Sequence, residues 1–380
     1  MKALQFERSL PRYAAARVAG GIAPGAGARV GPLSLTDIDA PELPGEGWHR
    51  VRPRLAGICG SDLATVDGHS SRYFEPIVSF PFVPGHEIVG ELDDGARVVV
   101  QPTLTCAARG IQPMCGPCGA GDTNRCERTA FGDLEPGLQT GYCTDTGGGW
   151  STSLVAHSSQ LHVVPDQLSD EAAVMVEPAA CAVRAARAVE ADTIAIIGAG
   201  TLGLCTLAAL RYFGEPHVVT VAAKHPEQQA LARRLGADVI VEPDMLERSV
   251  RRSSQSLQIG HQLTAGAGAV IDCVGSDSSL AQSLRIVAPG GTVHLVGMPG
   301  QVSVDLTSLW HREVTLQGSY AYTGADFGRA FELVEARDLG RLVSALYPLE
   351  RYREAIDHAA NAGRRGAVKI AFDMRDEKRR

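Results

Sequence analysis

The chain lacks an excess of positive charge, any long apolar run and any internal repeat or low-complexity tract, and each absence removes a class of function. Lys and Arg number 36 against 43 Asp and Glu, a formal net charge of −7. That balance argues against nucleic acid or an anionic membrane surface as the main partner. The most apolar uncharged stretch, Ile194 to Leu210, is 17 residues and carries three glycines. It reads as a buried strand turning into a helix, too short and too glycine-rich for a membrane span. Lys2, Glu7 and Arg8 interrupt any apolar segment at the start, so no secretory signal is expected and the cytoplasm is the expected location. What remains is ordinary globular composition, 44% hydrophobic and 21% charged, over 380 residues, a length that predicts two domains.

Cysteine is present in numbers. Of nine, Cys106, Cys115, Cys118 and Cys126 cluster, with C-x2-C spacing at 115–118. Four thiolates are a tetrahedral zinc set with no open position, hence a structural site. Such a metal contributes on the order of 10 kcal/mol to local folding. A redox pair is disfavoured because no thioredoxin-like context surrounds the motif. Cys181, Cys205 and Cys273 lie in apolar stretches and are expected as small core residues in a reducing compartment.

A second set of ligand types is spread along the chain: Cys59 in GICGSD, His86 and Glu87 in PGHE, and Glu177 in VEPAA. One thiolate, one imidazole and two carboxylates suit a catalytic zinc. No two of these clusters share a helix turn, so separate loops must converge, and such a site can keep a position open. Asp62 is placed to orient a liganding histidine, and Ser61 to hydrogen-bond a substrate alcohol. Either glutamate is a candidate for direct ligation, for contact through water, or for an acid behind the ligands.

The first ~160 residues read as a loop-rich β domain with short runs such as Arg97–Val100 and Leu161–Val164. Ser169-Asp170-Glu171 offers capping chemistry for an alanine-rich helix, which Pro178 is expected to break or kink after Glu177. From Thr193 strands and helices alternate, as in a parallel sheet. Gly198, Gly200 and Gly203 form G-x-G-x-x-G between an apolar strand and a helix. Those glycines supply the tight turn, the close approach of a pyrophosphate, and helix–strand packing at a helix N-terminus. An acid is expected about 20 residues on, to hold the ribose hydroxyls. This chain has Ala223 followed by Lys224 instead, which favours NADP over NAD because no carboxylate repels a 2′-phosphate.

Taken in order, GICGSD, PGHEIVGE, the cysteine lobe, VEPAA, IIGAGTLG, LGAD, IDCVGS, PGGTVHLVGMPG and GSYAY resemble the zinc-dependent medium-chain alcohol dehydrogenases, in particular the sorbitol, threonine and polyol branch. The resemblance spans the whole chain. It implies an α/β protein with a GroES-like, β-rich catalytic domain over 1–178, a Rossmann doubly wound coenzyme domain over 179–318, and a return to the catalytic domain over 319–380. It implies zinc on Cys59, His86 and a glutamate, with Glu87 and Glu177 both in ligand positions. It adds Thr201, Leu202, the segment Leu295-Val296-Gly297-Met298 and Lys369 to the cofactor contacts, and a homodimer or homotetramer. The chain departs from the pattern in three places. Eight residues separate Cys106 from Cys115 where two are usual, Ala64 stands where many members carry a relay histidine, and Ala223 replaces the ribose acid. His69 is the candidate replacement for that histidine, with a surface role as the alternative.

The expected activity is reversible NAD(P)-dependent oxidation of a secondary alcohol or polyol, with Ser61, Asp62 and Glu87 serving the chemistry beside the metal. The rival readings are a biosynthetic NADPH-dependent ketoreductase and a non-catalytic NADP(H)-binding sensor. Retained metal ligands speak against the sensor. Trp150, Tyr73 and Tyr322 are candidate pocket walls, with core packing as the alternative.

Overall fold

The computed structural model describes residues 1–214, 218–297 and 300–375. Two compact units divide the chain. The first comprises 1–177, 323–327 and 338–380; the second comprises 178–322 and 328–337. Residues 319–322 and 328–337 therefore fall with the coenzyme unit, a difference from the division expected from sequence. The helix Gly324–Ala336 is shared between the two.

The first unit is built on a seven-stranded sheet. Its order is Val343–Tyr347, Lys369–Asp373, Trp48–Gly57, Ile88–Leu92, Arg97–Val100 and Leu161–Val163, and Leu154–His157 also pairs with Trp48–Gly57. Only Val343–Tyr347 with Lys369–Asp373 is parallel; the other pairings are antiparallel. The alternation of valines along Arg97–Val100 and Ile88–Leu92 buries one apolar cluster of Val51, Ile88, Val98, Val100, Leu154 and Ala156. A second cluster centres on Phe6, Phe82, Trp150, Tyr352 and Phe372. Trp150 and Tyr322 are both fully buried and Tyr73 is 79% exposed, so Trp150 and Tyr322 are core residues.

The N-terminal part also contains a helix that the glycine- and proline-rich composition hid, Leu10–Ile22. Its start is legible in retrospect: Pro11 fixes the first turn and an alanine run follows. It is followed by the short helix Gly27–Val30, held by the buried carboxylate of Asp67, which accepts the N–H groups of Gly25 (2.7 Å) and Gly27 (2.9 Å).

The second unit is a six-stranded parallel sheet ordered Val239–Val241, Val218–Ala222, Thr193–Ile197, Ala267–Asp272, Val287–Leu295 and Thr315–Gly318. The first three strands step outward one way and the next three the other. The switch point therefore lies between Thr193–Ile197 and Ala267–Asp272, where a doubly wound sheet binds its ligand. The helix Thr201–Phe213 is buried at every position from Gly203 to Leu210. Pro226–Leu235 ends on Gly236 in the left-handed region at φ 101°, a cap that glycine adopts without penalty.

Pro178 does not break its helix. The chain makes one turn at Asp170–Ala173, capped by Ser169, and starts afresh at Val176–Arg187. Pro178 then lies in the first turn, where its missing N–H has no partner to lose. Asp170, 4% exposed, joins three strands' worth of chain by pairing with Arg54 (2.9 Å), Arg97 (3.1 Å) and Arg375 (3.3 Å). Replacing Asp170 with Ala removes the buried carboxylate that three guanidinium groups share, although Arg54 keeps Glu91 and Arg375 keeps Asp373 and Glu171. We expect a loss of about 3 kcal/mol of stability, read as a lower urea midpoint for the first unit. An unchanged midpoint would show that the arginines rehydrate at no cost.

Candidate active site

Four elements of the first unit carry the candidate catalytic residues. Cys59 is the N-cap of the helix Gly60–Val66 and Asp62 is its third residue; the two form a reciprocal capping box in which Asp62 Oδ2 accepts the Cys59 N–H at 3.0 Å. His86 and Glu87 lie in the loop entering Ile88–Leu92, Glu177 in the first turn of Val176–Arg187, and Lys369 at the start of the strand Lys369–Asp373. Asp62, His86, Glu87, Glu177 and Lys369 are all buried.

The glycines around the loop are spatial requirements. Gly85 has φ 96°, and a Cβ on it would sit 2.4 Å from Trp150 Cδ1. Trp150 in turn donates its indole N–H to Gly57 O at 3.2 Å and its backbone N–H to Pro84 O at 2.9 Å. The loop that presents His86 is thus clamped on a fully buried ring.

His86 Nδ1 lies 3.3 Å from Asp62 Oδ1, an ion-pair distance without hydrogen-bond alignment. Burial works against a charged imidazole, but Asp62 and the neighbouring Cys59 outweigh it and raise the His86 pKa well above the usual value. Tyr142 sits against the same carboxylate, its hydroxyl 3.4 Å from Asp62 Oδ1 and 3.2 Å from Thr65 Oγ1. No motif in the sequence pointed to Tyr142.

Lys369 differs from its expected role as a cofactor contact. Its Nζ reaches Glu87 Oε1 at 2.6 Å and Oε2 at 2.5 Å, and Ile58 O at 3.2 Å. Burial lowers its pKa, but Glu87, Cys59 and Glu177 more than restore it, so the ammonium is held charged. With both oxygens on Lys369, Glu87 is a poorer candidate for direct ligation than Glu177, whose charge also acts on Lys369. Ser61 is half-buried on the same helix as Asp62, and His69 is exposed.

The four clustered cysteines come together despite the long spacer. All four ligand atoms lie within 4.8 Å of one another, the one such group among the described residues. Cys59, His86 and the two glutamates are not drawn that close. Cys106 and Cys126 are 3.8 Å apart, the edge length of a tetrahedron with Zn–S arms of about 2.3 Å. Residues 107–114 fold back so that the Cys115 N–H faces Cys106 Sγ at 3.5 Å. Arg109, fully buried, anchors this spacer by donating to the carbonyls of Leu104, Phe131, Leu134, Glu135 and Gly137. Burial pushes the Cys115 thiol up, but N–H donors of Glu127 and Cys118 and the adjacent sulfurs bring it down to about 7. Burial pushes Cys118 and Cys126 upward. A metal entering here must displace those protons.

In the second unit, Gly198 has φ 94° and follows Thr193–Ile197 directly. A Cβ on Gly203 would lie 1.8 Å from Gly198 O, which is the close helix–turn packing that requires glycine. A Cβ on Gly200 would meet nothing within 4 Å. That open side, with Thr201 and Leu202 beginning the helix, fits a pyrophosphate approaching backbone N–H groups. Across the switch point Asp272 accepts N–H bonds from Val274 and Gly275 and the Ser279 hydroxyl, while its carbonyl accepts from Val296 and Gly297. Leu295 ends its strand beside them, and Met298 lies outside the described residues. Ala223 is fully buried with its N–H on Val241 O and its carbonyl on Gln229, whereas Lys224 is exposed.

Comparison with known proteins agrees with this division of labour. The zinc-binding dehydrogenase family matches residues 201–336, and the alcohol dehydrogenase GroES-like domain matches residues 45–166. A D-arabitol-phosphate dehydrogenase of Enterococcus avium is 30% identical over 338 residues, 86% of this chain and 90% of its own length. A sorbitol dehydrogenase of Arabidopsis thaliana is 31% identical over 74% of this chain and 76% of its own. Among solved structures, acetophenone reductase of Geotrichum candidum in complex with NAD superposes with a TM-score of 0.75 at 20% identity, covering 98% of this chain and 96% of that one.

The sulfur cluster predicts a specific failure. Cys118→Ala leaves an incomplete tetrahedron, so one metal equivalent should be lost per chain and the lobe 106–137 should become the first site of proteolysis. Elemental analysis beside limited digestion reads both. A variant that kept its full metal content would refute a closed four-thiolate site.

Proposed function

Because the chain belongs to the zinc-dependent medium-chain alcohol dehydrogenases, in their sorbitol and polyol dehydrogenase-like branch, we propose that it interconverts a secondary alcohol or polyol and the matching ketone with a nicotinamide cofactor. The observation that carries this reading is the joined set Cys59, Asp62 and His86, beside the buried Glu87–Lys369 pair, in a chain that also holds the glycine turn of a dinucleotide fold. Bound by Cys59, His86 and Glu177, zinc would supply a Lewis acid for the substrate oxygen, and the nicotinamide would supply the hydride chemistry.

The chain's own residues do the remaining work. The Asp62 carboxylate faces His86 Nδ1 at ion-pair distance, which leaves Nε2 as the nitrogen for ligation. The Ser61 hydroxyl, half-buried, accepts the substrate proton while passing its own to solvent water; with Ala64 in the relay position and His69 exposed, no imidazole stands between them. Glu87 neutralises Lys369 behind His86 and keeps a net cation from accumulating there. The closely set thiols of Cys106, Cys115, Cys118 and Cys126, none in a disulfide, suit a cytoplasmic enzyme. The edge strand Thr315–Gly318, exposed at all four positions, supports assembly into a homodimer or homotetramer.

Two experiments test this reading. Cys59→Ala should lower kcat/KM by about a thousandfold, roughly 4 kcal/mol of barrier, while cofactor binding followed by nicotinamide fluorescence stays intact. Near-normal turnover would refute a metal held by Cys59. For the cofactor, Lys224 adds a charge-assisted bond to a 2′-phosphate worth ~1.5–3 kcal/mol, which screening reduces because the side chain is exposed. NADP should therefore be preferred roughly tenfold or more, a preference that suits the ketone-reducing direction, and Ala223→Asp should invert it. Equal kcat/KM with NAD in the parent protein would show that a missing acid does not make a phosphate site.

A further inference from the structure

Tyr142 has a role that neither the motifs nor the reaction assigns. It is 9% exposed, its ring is 5.2 Å from Phe82 and 6.2 Å from His86 between centroids, and its hydroxyl meets Asp62 and Thr65. An apolar ring would fill this space equally well, so the hydroxyl needs a separate reason.

The protons around it can be placed without a gap. Thr65 donates to Ser61 O at 2.9 Å. Ser70 Oγ lies 2.8 Å from Thr65 Oγ1 and can donate to it. Both remaining oxygens that face the phenol, Asp62 Oδ1 and Thr65 Oγ1, are then acceptors, and the phenol proton is shared between them. Asp62 is thereby held from three sides: Oδ2 by the Cys59 N–H, Oδ1 by the Tyr142 hydroxyl and by proximity to His86 Nδ1. Burial and the Asp62 charge both raise the Tyr142 pKa, which keeps the phenol a donor.

We propose that Tyr142 is a positioning residue for the candidate catalytic metal: by donating to Asp62 it fixes the carboxylate that orients His86, and it ties that carboxylate to the helix carrying Cys59 through Thr65. The chain Ser70–Thr65–Tyr142–Asp62–His86 couples the two ligands Cys59 and His86, which come from different elements, into one rigid unit. Partners behind a liganding histidine set its orientation and basicity, and losing one typically weakens metal affinity 10–100-fold. The proposal rests on the zinc reading above.

The test is metal affinity, measured by chelator competition with zinc and by Co2+ substitution followed in the visible spectrum, on the full chain. Tyr142→Phe should weaken metal binding at the Cys59 site about 10–100-fold while the four-cysteine metal and the melting temperature stay at parent values. Asp62→Asn should weaken it too, and the double variant should be no weaker than Asp62→Asn alone, because the phenol acts through that carboxylate. Thr65→Val should move affinity in the same direction, and Thr65→Ser should restore it; this pair carries the test if Tyr142→Phe folds poorly. Parent-like affinity in both Tyr142→Phe and Thr65→Val overturns the proposal, as does additivity in the double variant. A parent protein that binds metal only in the four cysteines overturns the underlying zinc reading as well, and the two failures are told apart by that parent measurement.

Discussion

A Cβ on Gly57 would lie 1.8 Å from Glu87 Oε2, so the strand Trp48–Gly57 ends by giving its side-chain space to a carboxylate from the loop that enters the neighbouring strand. The rest of the candidate site depends on that approach. The Gly57 N–H is committed to Glu87 O at 2.9 Å and its carbonyl to the Trp150 indole, which fixes both sides of the loop bearing His86. Lys369 enters from the adjacent strand to neutralise the carboxylate. Burying such a pair is close to break-even against an apolar isostere, but removing either member costs about 3–5 kcal/mol. The pair is better understood as a device that sets register than as a source of stability. It forces three strands to end at the same height, and the ligand-bearing segments begin there.

The two groups of metal-ligand types are organised by opposite rules. The four cysteines sit on one continuous lobe, and their sulfurs are already mutually close because local turns and the Arg109 clamp fold the spacer back. Cys59, His86 and Glu177 come from a helix N-cap, a strand-entry loop and a second helix, and their separation is controlled by the Asp62 and Glu87–Lys369 contacts between them. The first arrangement leaves no room for anything but the ion. The second can hold an ion with a position to spare.

Much of this was legible in the residues, for reasons that differ by element. The glycine turn was readable because its constraint is local: Gly198 and Gly203 are demanded by a positive φ and a 1.8 Å approach within six residues of chain. The Cys115–Cys118 pair was readable for the same reason, since its spacing is short, whereas Cys59, His86 and Glu177 are far apart in the chain and stood out only by residue type. The Leu10–Ile22 helix was missed because surrounding glycine and proline masked a start signal at Pro11. Pro178 was misread because its effect depends on where the helix begins, and Val174–Met175, not the proline, set that point. Lys369 and Tyr142 could not have been paired with Glu87 and Asp62 from sequence. Those partners lie 282 and 80 residues away, and only the sheet register and the Phe82 cluster bring them together.

The contacts around Ala223 and those around Asp62 each close within one unit. Ala223 has both backbone groups committed within the second unit, to Val241 and Gln229, so those bonds do not depend on the side chain carried there. The Asp62–Tyr142–Thr65 contacts close entirely within the first unit. Substitutions in sets that share no partner act additively to within a few tenths of a kcal/mol. On the reading proposed above, cofactor choice and metal geometry are therefore separable in this chain: the exposed Lys224 beside Ala223 bears on the first, and the buried contacts of Asp62, Tyr142 and Thr65 on the second.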